Sequence, residues 1–247
     1  MYVFTVKQFI AKLYDCMASN NIYVSAGWGA NLQGEWLEKY TTNNDYNRKH
    51  AKEIKKAAEK QPCWGFDCIC LIKAILWGFN FNYSKRNGGC VYKANGVPDY
   101  GTKKFFEECC HDQQWIEKGC TIPAGAIVWT DGHIATSIGD GKVIESTRYG
   151  GAVIRIAGIR GVYTGTDLPI RHFDKWGYCN FIDYTNRVKG DINGDGEIDA
   201  KDAVLCKKII LGSYKPTEDE KWAADINDDG TVSILDYIRL KRMVLKS

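Results

Sequence analysis

Excess charge is the first thing this sequence has little of. Thirty-three lysines and arginines stand against thirty acidic residues, a formal net charge of +3, and so small an imbalance gives no argument for a nucleic-acid partner. Apolar runs of membrane-spanning length are also missing, so no span is expected. Residues 1–20 lack the basic-then-apolar layout of a secretory leader, so none is expected. Ten cysteines are many for 247 residues, yet they do not follow the spacing of a short secreted framework, and few or no disulfides are expected. Nor is there a second Cys-x-x-Cys pair to complete a zinc site around Cys109, Cys110 and His111, or around Cys63, Cys68 and Cys70. Adjacent residues rarely ligate one tetrahedral ion together. Histidine is scarce, with four in the chain; His50 and His172 sit among charged neighbours and read as surface residues.

With 45% hydrophobic residues the chain can bury a core as one large or two modest domains. What is present centres on Trp64–Phe79, WGFDCICLIKAILWGF. The spacing predicts a helix with Cys68 in its first turn, running apolar to Gly78. A thiol there meets unsatisfied backbone N–H groups and the positive end of the helix dipole, which is expected to stabilise a thiolate. Downstream, GHIATSIGDGKVIES over Gly132–Ser146 reads as a strand opening with His133, a Gly-Asp-Gly turn, and a second strand carrying Glu145. If the turn closes a hairpin, His133 and Glu145 become near cross-strand neighbours. A cysteine, a histidine and an acid to orient it form the constellation for thiol acyl transfer.

FDCICL followed by GHIATSIGDGKVIE resembles the NlpC/P60 family of papain-like peptidases, whose members carry an Asp-Cys helix start, a Gly-His strand start and a third polar residue one hairpin later. The resemblance implies cleavage of peptidoglycan stem peptides, commonly beside D-glutamate, with Cys68 as nucleophile, His133 as base and Glu145 as the orienting residue. A mild positive balance suits that anionic wall. Two positions depart from the family pattern: Cys70 stands where a small residue or glycine is usual, and Glu145 where His, Asn or Gln is commoner. Tyr23 and the glycine-rich turn after it, in NIYVSAGWG, resemble the family's segment lining the cleft; Tyr23 reads equally as a cleft donor or a plain strand aromatic. Asp67 joins it as a substrate-binding candidate.

Around this centre, Val6–Ala18 has helical apolar spacing, residues 31–47 are polar and turn-rich, and Arg48–Lys60 reads as a charged surface helix. Asn80–Tyr100 reads as an irregular loop and Lys103–Cys110 as a short helix. Ile122–Trp129, Ala152–Ile156 and Trp176–Tyr184 supply strands.

The remaining signal is an internal repeat. DINGDGEIDAKD, Asp191–Asp202, returns as DINDDGTVSILD, Asp225–Asp236. Each places oxygen-bearing side chains at loop positions one, three, five, nine and twelve and glycine at position six, as a hard, oxygen-preferring cation requires. The calcium ligands expected are Asp191, Asn193, Asp195, Asp199 and Asp202 in one loop and Asp225, Asn227, Asp229, Ser233 and Asp236 in the other. Glu197 and Thr231 would offer backbone carbonyls. Position twelve is Asp rather than the Glu of sensor loops, no helix obviously precedes the first loop, and helices are expected over Ala203–Leu211 and Tyr237–Leu245. This resembles a type I dockerin, which implies docking to the cohesin of a scaffoldin through Ala200 and Lys201 in one repeat and Ile234 and Leu235 in the other.

The expectation is thus an α+β papain-like NlpC/P60 cysteine peptidase over residues 1–185 and a small all-α dockerin over 189–247 holding two structural Ca2+ ions, extracellular or on the cell surface. Two alternatives stay open: a CHAP-like amidase cutting the sugar-to-peptide link, and a non-catalytic wall-binding or toxin module with the same fold.

Overall fold

The structure is a computed structural model that describes residues 4–149, 151, 153–184, 188–193 and 197–245. The chain divides into two units, Met1–Asp183 and Tyr184–Ser247, and mixes helices with sheets, an α+β architecture.

In the first unit, β1 (Phe4–Thr5) runs into α1 (Val6–Ala18). Thr5 and Gln8 close a reciprocal capping box at the start of α1, and its apolar spacing buries Phe9, Leu13 and Cys16. Three short strands, β2 (Asn21–Tyr23), β3 (Trp28–Asn31) and β4 (Trp64–Phe66), form a sheet in the order β2-β4-β3. Between β3 and β4 lie α2 (Gly34–Thr42), α3 (Asp45–Lys49) and α4 (Ala51–Ala57). Residues 31–47 are therefore not the turn-rich stretch expected. Tyr40 of α2 is buried in a cluster with Ile22, Val24, Leu32 and Ile54, and Leu37 packs against it, so tertiary burial overrides a polar local sequence. The expected helix over Arg48–Lys60 breaks at His50, which caps α4 with non-helical backbone angles.

The central helix is α5 (Cys68–Leu76), buried along all nine of its residues. A helix apolar all round belongs inside a domain, and α5 lies against α1, β3, β7 and β8. Trp64–Phe66 forms β4; the helix begins where Asp67 caps it, with Cys68 in its first turn as expected, and stops at Trp77, before Gly78 at φ +88°. The one charge inside, Lys73, has its ammonium held by the Asp99 carboxylate and the Tyr100 carbonyl. Residues 80–100 are mostly irregular, as expected, and lead to α6 (Thr102–Cys109).

The larger sheet is built from β5 (Cys110–Trp115), β6 (Ile127–Thr130), β7 (His133–Gly139), β8 (Lys142–Ser146), β9 (Ile154–Ile159), β10 (Ile170–Arg171) and β11 (Lys175–Cys179), in the order β10-β9-β8-β7-β6-β11-β5. The C-terminal β12 (Ile182–Asp183) returns to pair with β1. One face of the large sheet buries Val128, Ala135, Val143, Ala157, Ile159 and Trp176. The β7–β8 connection is the two-residue Asp140-Gly141 loop, with φ of +52° and +69°, and a Cβ at Gly141 would meet the backbone of Tyr163 at 2.7 Å.

The second unit contains α7 (Ala200–Ile210), α8 (Glu218–Ala224) and α9 (Ile234–Val244) around Ile192, Cys206, Ala223, Ala224 and Leu240. α7 and α9 begin three residues earlier than expected. Asp199 and Ser233 at loop position nine are N-caps, and Asp202 and Asp236 at position twelve close capping boxes with them.

Candidate functional site

The capping of α5 places Cys68. Asp67 Oδ1 accepts the Cys70 N–H at 2.7 Å and Oδ2 accepts the Ala26 N–H at 2.8 Å, so one carboxylate fixes the helix start and the turn after β2 together. A substrate contact by Asp67 would have to compete with these two bonds. Val24 N–H and Ser146 Oγ both donate to the Phe66 carbonyl, at 3.1 and 2.9 Å. The end of β8, next to Glu145, is thereby tied to the strand that delivers the cysteine.

His133 opens β7 opposite Thr130 of β6. The β7–β8 register pairs Thr136 with Ile144; continued one step it sets Glu145 beside Ala135, so His133 reaches Glu145 diagonally. His133 Nε2 lies 2.7 Å from Glu145 Oε2, and the ring stacks on Phe173 at 5.8 Å between centroids. Glu145 is fully buried and is also met by two arginines, Arg155 Nε on Oε1 at 3.0 Å and Arg171 Nε on Oε2 at 3.1 Å. Burial alone would raise the Glu145 pKa, but the hydrogen bond and charge of His133, with Arg171 and Arg155, outweigh it and hold the carboxyl below its usual range.

Cys68 is 7% exposed. Burial, followed by the neighbouring Asp67 carboxylate, pushes its thiol up to about 12. The backbone N–H groups of Ile69, Ile134 and Cys68 itself face the sulfur and pull the other way, yet they lose. The expected thiolate stabilised by the helix start is therefore corrected to a neutral thiol, because desolvation exceeds what one helix terminus supplies. The Ile134 N–H also locates the sulfur: it sits at the residue directly after His133.

A cavity of about 320 Å3 opens on His133, lined also by Tyr23, Thr130, Thr147, Arg148, Tyr149 and Arg171 among others; Cys68 is not part of its lining. Tyr23 is brought to the site at the end of β2. Burial raises its hydroxyl pKa, with Cys68 and Asp67 adding to the effect, so it stays a hydrogen-bond donor. Sequence reasoning missed Arg155, Arg171, Arg148 and Tyr149. Arg155 stands directly opposite Glu145 across β8 and β9, and a hairpin register drawn one strand further would have found it.

In the C-terminal unit the donor chemistry of the loops fits a hard divalent cation: carboxylates, an amide oxygen and hydroxyls, with Gly230 at φ +86° where position six needs glycine. Asp195 lies outside the described residues. Among the described residues no three acidic, histidine or cysteine side chains gather as a metal cluster. Asp225 accepts the Asp229 and Gly230 N–H groups at 3.2 and 2.9 Å, and Asn227 and Thr231 both hydrogen-bond to Asp229. Asp236 Oδ1 accepts from the Ile226 and Asn227 backbones, and Oδ2 from the backbone and hydroxyl of Ser233. Asp202 repeats this with Ile192, Asn193 and Asp199. Burial raises Asp236, but the Ser233 and Asn227 N–H groups more than offset it and hold the carboxyl low. Ala200, Lys201, Ile234 and Leu235 are exposed at the starts of α7 and α9; Ile234 and Leu235 keep 59% and 56% of their surface.

No curated protein matches the chain. Residues 189–245 match the family described as the dockerin type I domain, a calcium-binding module type. The C-terminal unit therefore contains a dockerin type I domain.

Proposed function

We propose that the N-terminal unit is an NlpC/P60-like cysteine peptidase that hydrolyses peptidoglycan stem peptides, and that the dockerin attaches it to a scaffoldin cohesin outside the cell. The dockerin carries the attachment, since such a module implies a cohesin and assembly into a cellulosome. The peptidase reading rests on one juxtaposition: the Cys68 sulfur, at the start of a buried helix, meets the backbone N–H of the residue that follows His133, while His133 is held by buried Glu145.

Mechanistically, His133 takes the proton from the neutral Cys68 thiol as sulfur attacks the scissile carbonyl, and returns it to the leaving amine. The Cys68 backbone N–H, in the first turn of α5, is the natural donor to the oxyanion. Water then hydrolyses the thioester with His133 again as base. Glu145 fixes the imidazole, and because Arg155 and Arg171 already balance its charge, its contribution is orientation more than electrostatic stabilisation. Tyr23 borders the bound peptide. In the dockerin, Asp191, Asn193, Asp195, Asp199 and Asp202, with the Glu197 carbonyl, would hold one Ca2+, and Asp225, Asn227, Asp229, Ser233 and Asp236, with the Thr231 carbonyl, a second. Calcium there would neutralise clustered carboxylates and order each loop.

Mass spectrometry of purified peptidoglycan digested by the full chain tests the reading. Fragments with new amino termini inside the stem peptide are expected, and none with Cys68→Ala. Intact stems released from muramic acid would instead make it an amidase, and no release at all by the wild type would leave a non-catalytic wall-binding module.

A further inference from the structure

We infer that Cys110 and Cys179 form a disulfide cross-link between β5 and β11 when the chain folds in an oxidising medium. The inference does not rest on the peptidase reading. Cys179 stands directly opposite Cys110 in the antiparallel β11–β5 ladder. Asn180 N–H donates to the Cys109 carbonyl at 2.9 Å, one residue beyond Cys179 to one residue before Cys110. That bond makes the cysteines a non-hydrogen-bonded pair, the kind whose Cα atoms approach to about 4.5 Å and whose side chains lie closest. Disulfides span Cα separations of about 4.4–6.8 Å, so the backbone is already within range. Directly opposed residues share a face of the sheet, and both thiols are buried, at 5% and 0% exposure. Among the described strand registers no other two cysteines stand opposite one another.

The position also needs a tie. β5 is an edge of the seven-stranded sheet, and of its residues Cys110 alone is buried. The ladder shifts register between Trp176 and Tyr178, so apolar patterning does little to hold β5 in place. A bond at the pair would pin the register and close a long chain segment, restricting the unfolded state.

The oxidant is a low-molecular-weight disulfide. One cysteine thiolate attacks it, forming a mixed disulfide and releasing one small thiol. The second cysteine then attacks the protein-bound sulfur and releases the other. Two thiol protons and two electrons thus pass to the oxidant, which becomes two thiols. Burial pushes the Cys179 thiol up to about 12 and the Cys110 thiol well above its usual value. Thiolate is therefore scarce in the folded chain, and the bond closes during folding rather than after it.

The full chain is unfolded with dithiothreitol, refolded in oxidised and reduced glutathione or in dithiothreitol, alkylated, digested and mapped by mass spectrometry, with circular dichroism confirming refolding. A peptide pair joined through Cys110 and Cys179 is expected after glutathione refolding and absent after dithiothreitol. The oxidised chain should also unfold at a higher denaturant midpoint than the reduced one, a difference lost in Cys110→Ser and in Cys179→Ser. Should either variant fail to fold, the map of the wild type decides alone. Alkylation of both cysteines after oxidative refolding, or either joined to another cysteine, would overturn the inference.

Discussion

At the scale of single residues, the candidate site is a buried thiol near the start of β7, whose first residue, His133, is anchored in a buried ion network. Burial and then Asp67 push Cys68 up to about 12, so little thiolate exists near neutral pH and the fraction grows as pH rises. Labelling of Cys68 by iodoacetamide should be slow at neutral pH and climb through the alkaline range. Asp67→Asn removes the raising charge and should speed labelling at any given pH; fast, pH-independent labelling of the wild type would mean a preformed thiolate. Glu145 is the second test. Its side chain is fully buried while Arg155 and Arg171 keep 20% and 23% exposure, so Glu145→Gln strands two partly solvated guanidiniums. A loss of about 3 kcal/mol is expected, the low end for breaking a buried pair, together with a roughly ten- to ten-thousand-fold slower turnover. Thermal denaturation and steady-state kinetics measure the two effects, and full activity in Glu145→Ala would remove it from the site. Because its folded pKa is depressed, the stability Glu145 contributes is complete above the ordinary carboxylate range and lost as pH falls through that folded value.

At the scale of elements, caps decide where chemistry is presented. Asp67 begins α5 at Cys68, and the aspartates at position twelve complete the capping boxes of α7 and α9 while binding residues near the start of their own loops. Asp236→Ala removes both functions of one carboxylate, so the C-terminal unit should lose at least about 1 kcal/mol. Calorimetry should show its transition falling while that of the N-terminal unit stays; a shared shift would contradict the cap's local role. The start of α5, the Gly-Asp-Gly turn between β7 and β8 and the irregular stretch after α5 were legible in the sequence because each depends on residues a few positions apart. The same holds for the meeting of His133 and Glu145 across one tight turn. The caps of α7 and α9, by contrast, read in the sequence only as calcium ligands, with their helix starts placed three residues late. α2 was not legible, since its polar sequence folds only because Tyr40 finds a distant cluster of Ile22, Leu32 and Ile54. Nor was Arg171, which reaches Glu145 through the short parallel pairing of β10 with β9, where no local pattern marks the register.

At the scale of the whole molecule, an N-terminal unit with its own core is joined to a dockerin whose core is small. With so small a core the dockerin should depend on the cation its loops would bind, so chelation should unfold it and abolish cohesin capture while the proposed hydrolysis of soluble wall fragments continues. Chelator titration followed by circular dichroism, cohesin pull-down and fragment cleavage reads all three, and activity falling together with docking would show the units to be coupled. Within the dockerin, Ile234 and Leu235 are large, exposed and apolar, so replacing both by Asp should weaken capture more than the same change at Ala200 and Lys201. The central claim is that Cys68 becomes acylated by a stem peptide. Acid quenching of a single turnover, followed by peptide mapping, tests it most directly: the account predicts substrate-derived mass on Cys68 and none in Cys68→Ala, whereas mass on Cys70, or turnover with no covalent adduct, would contradict it.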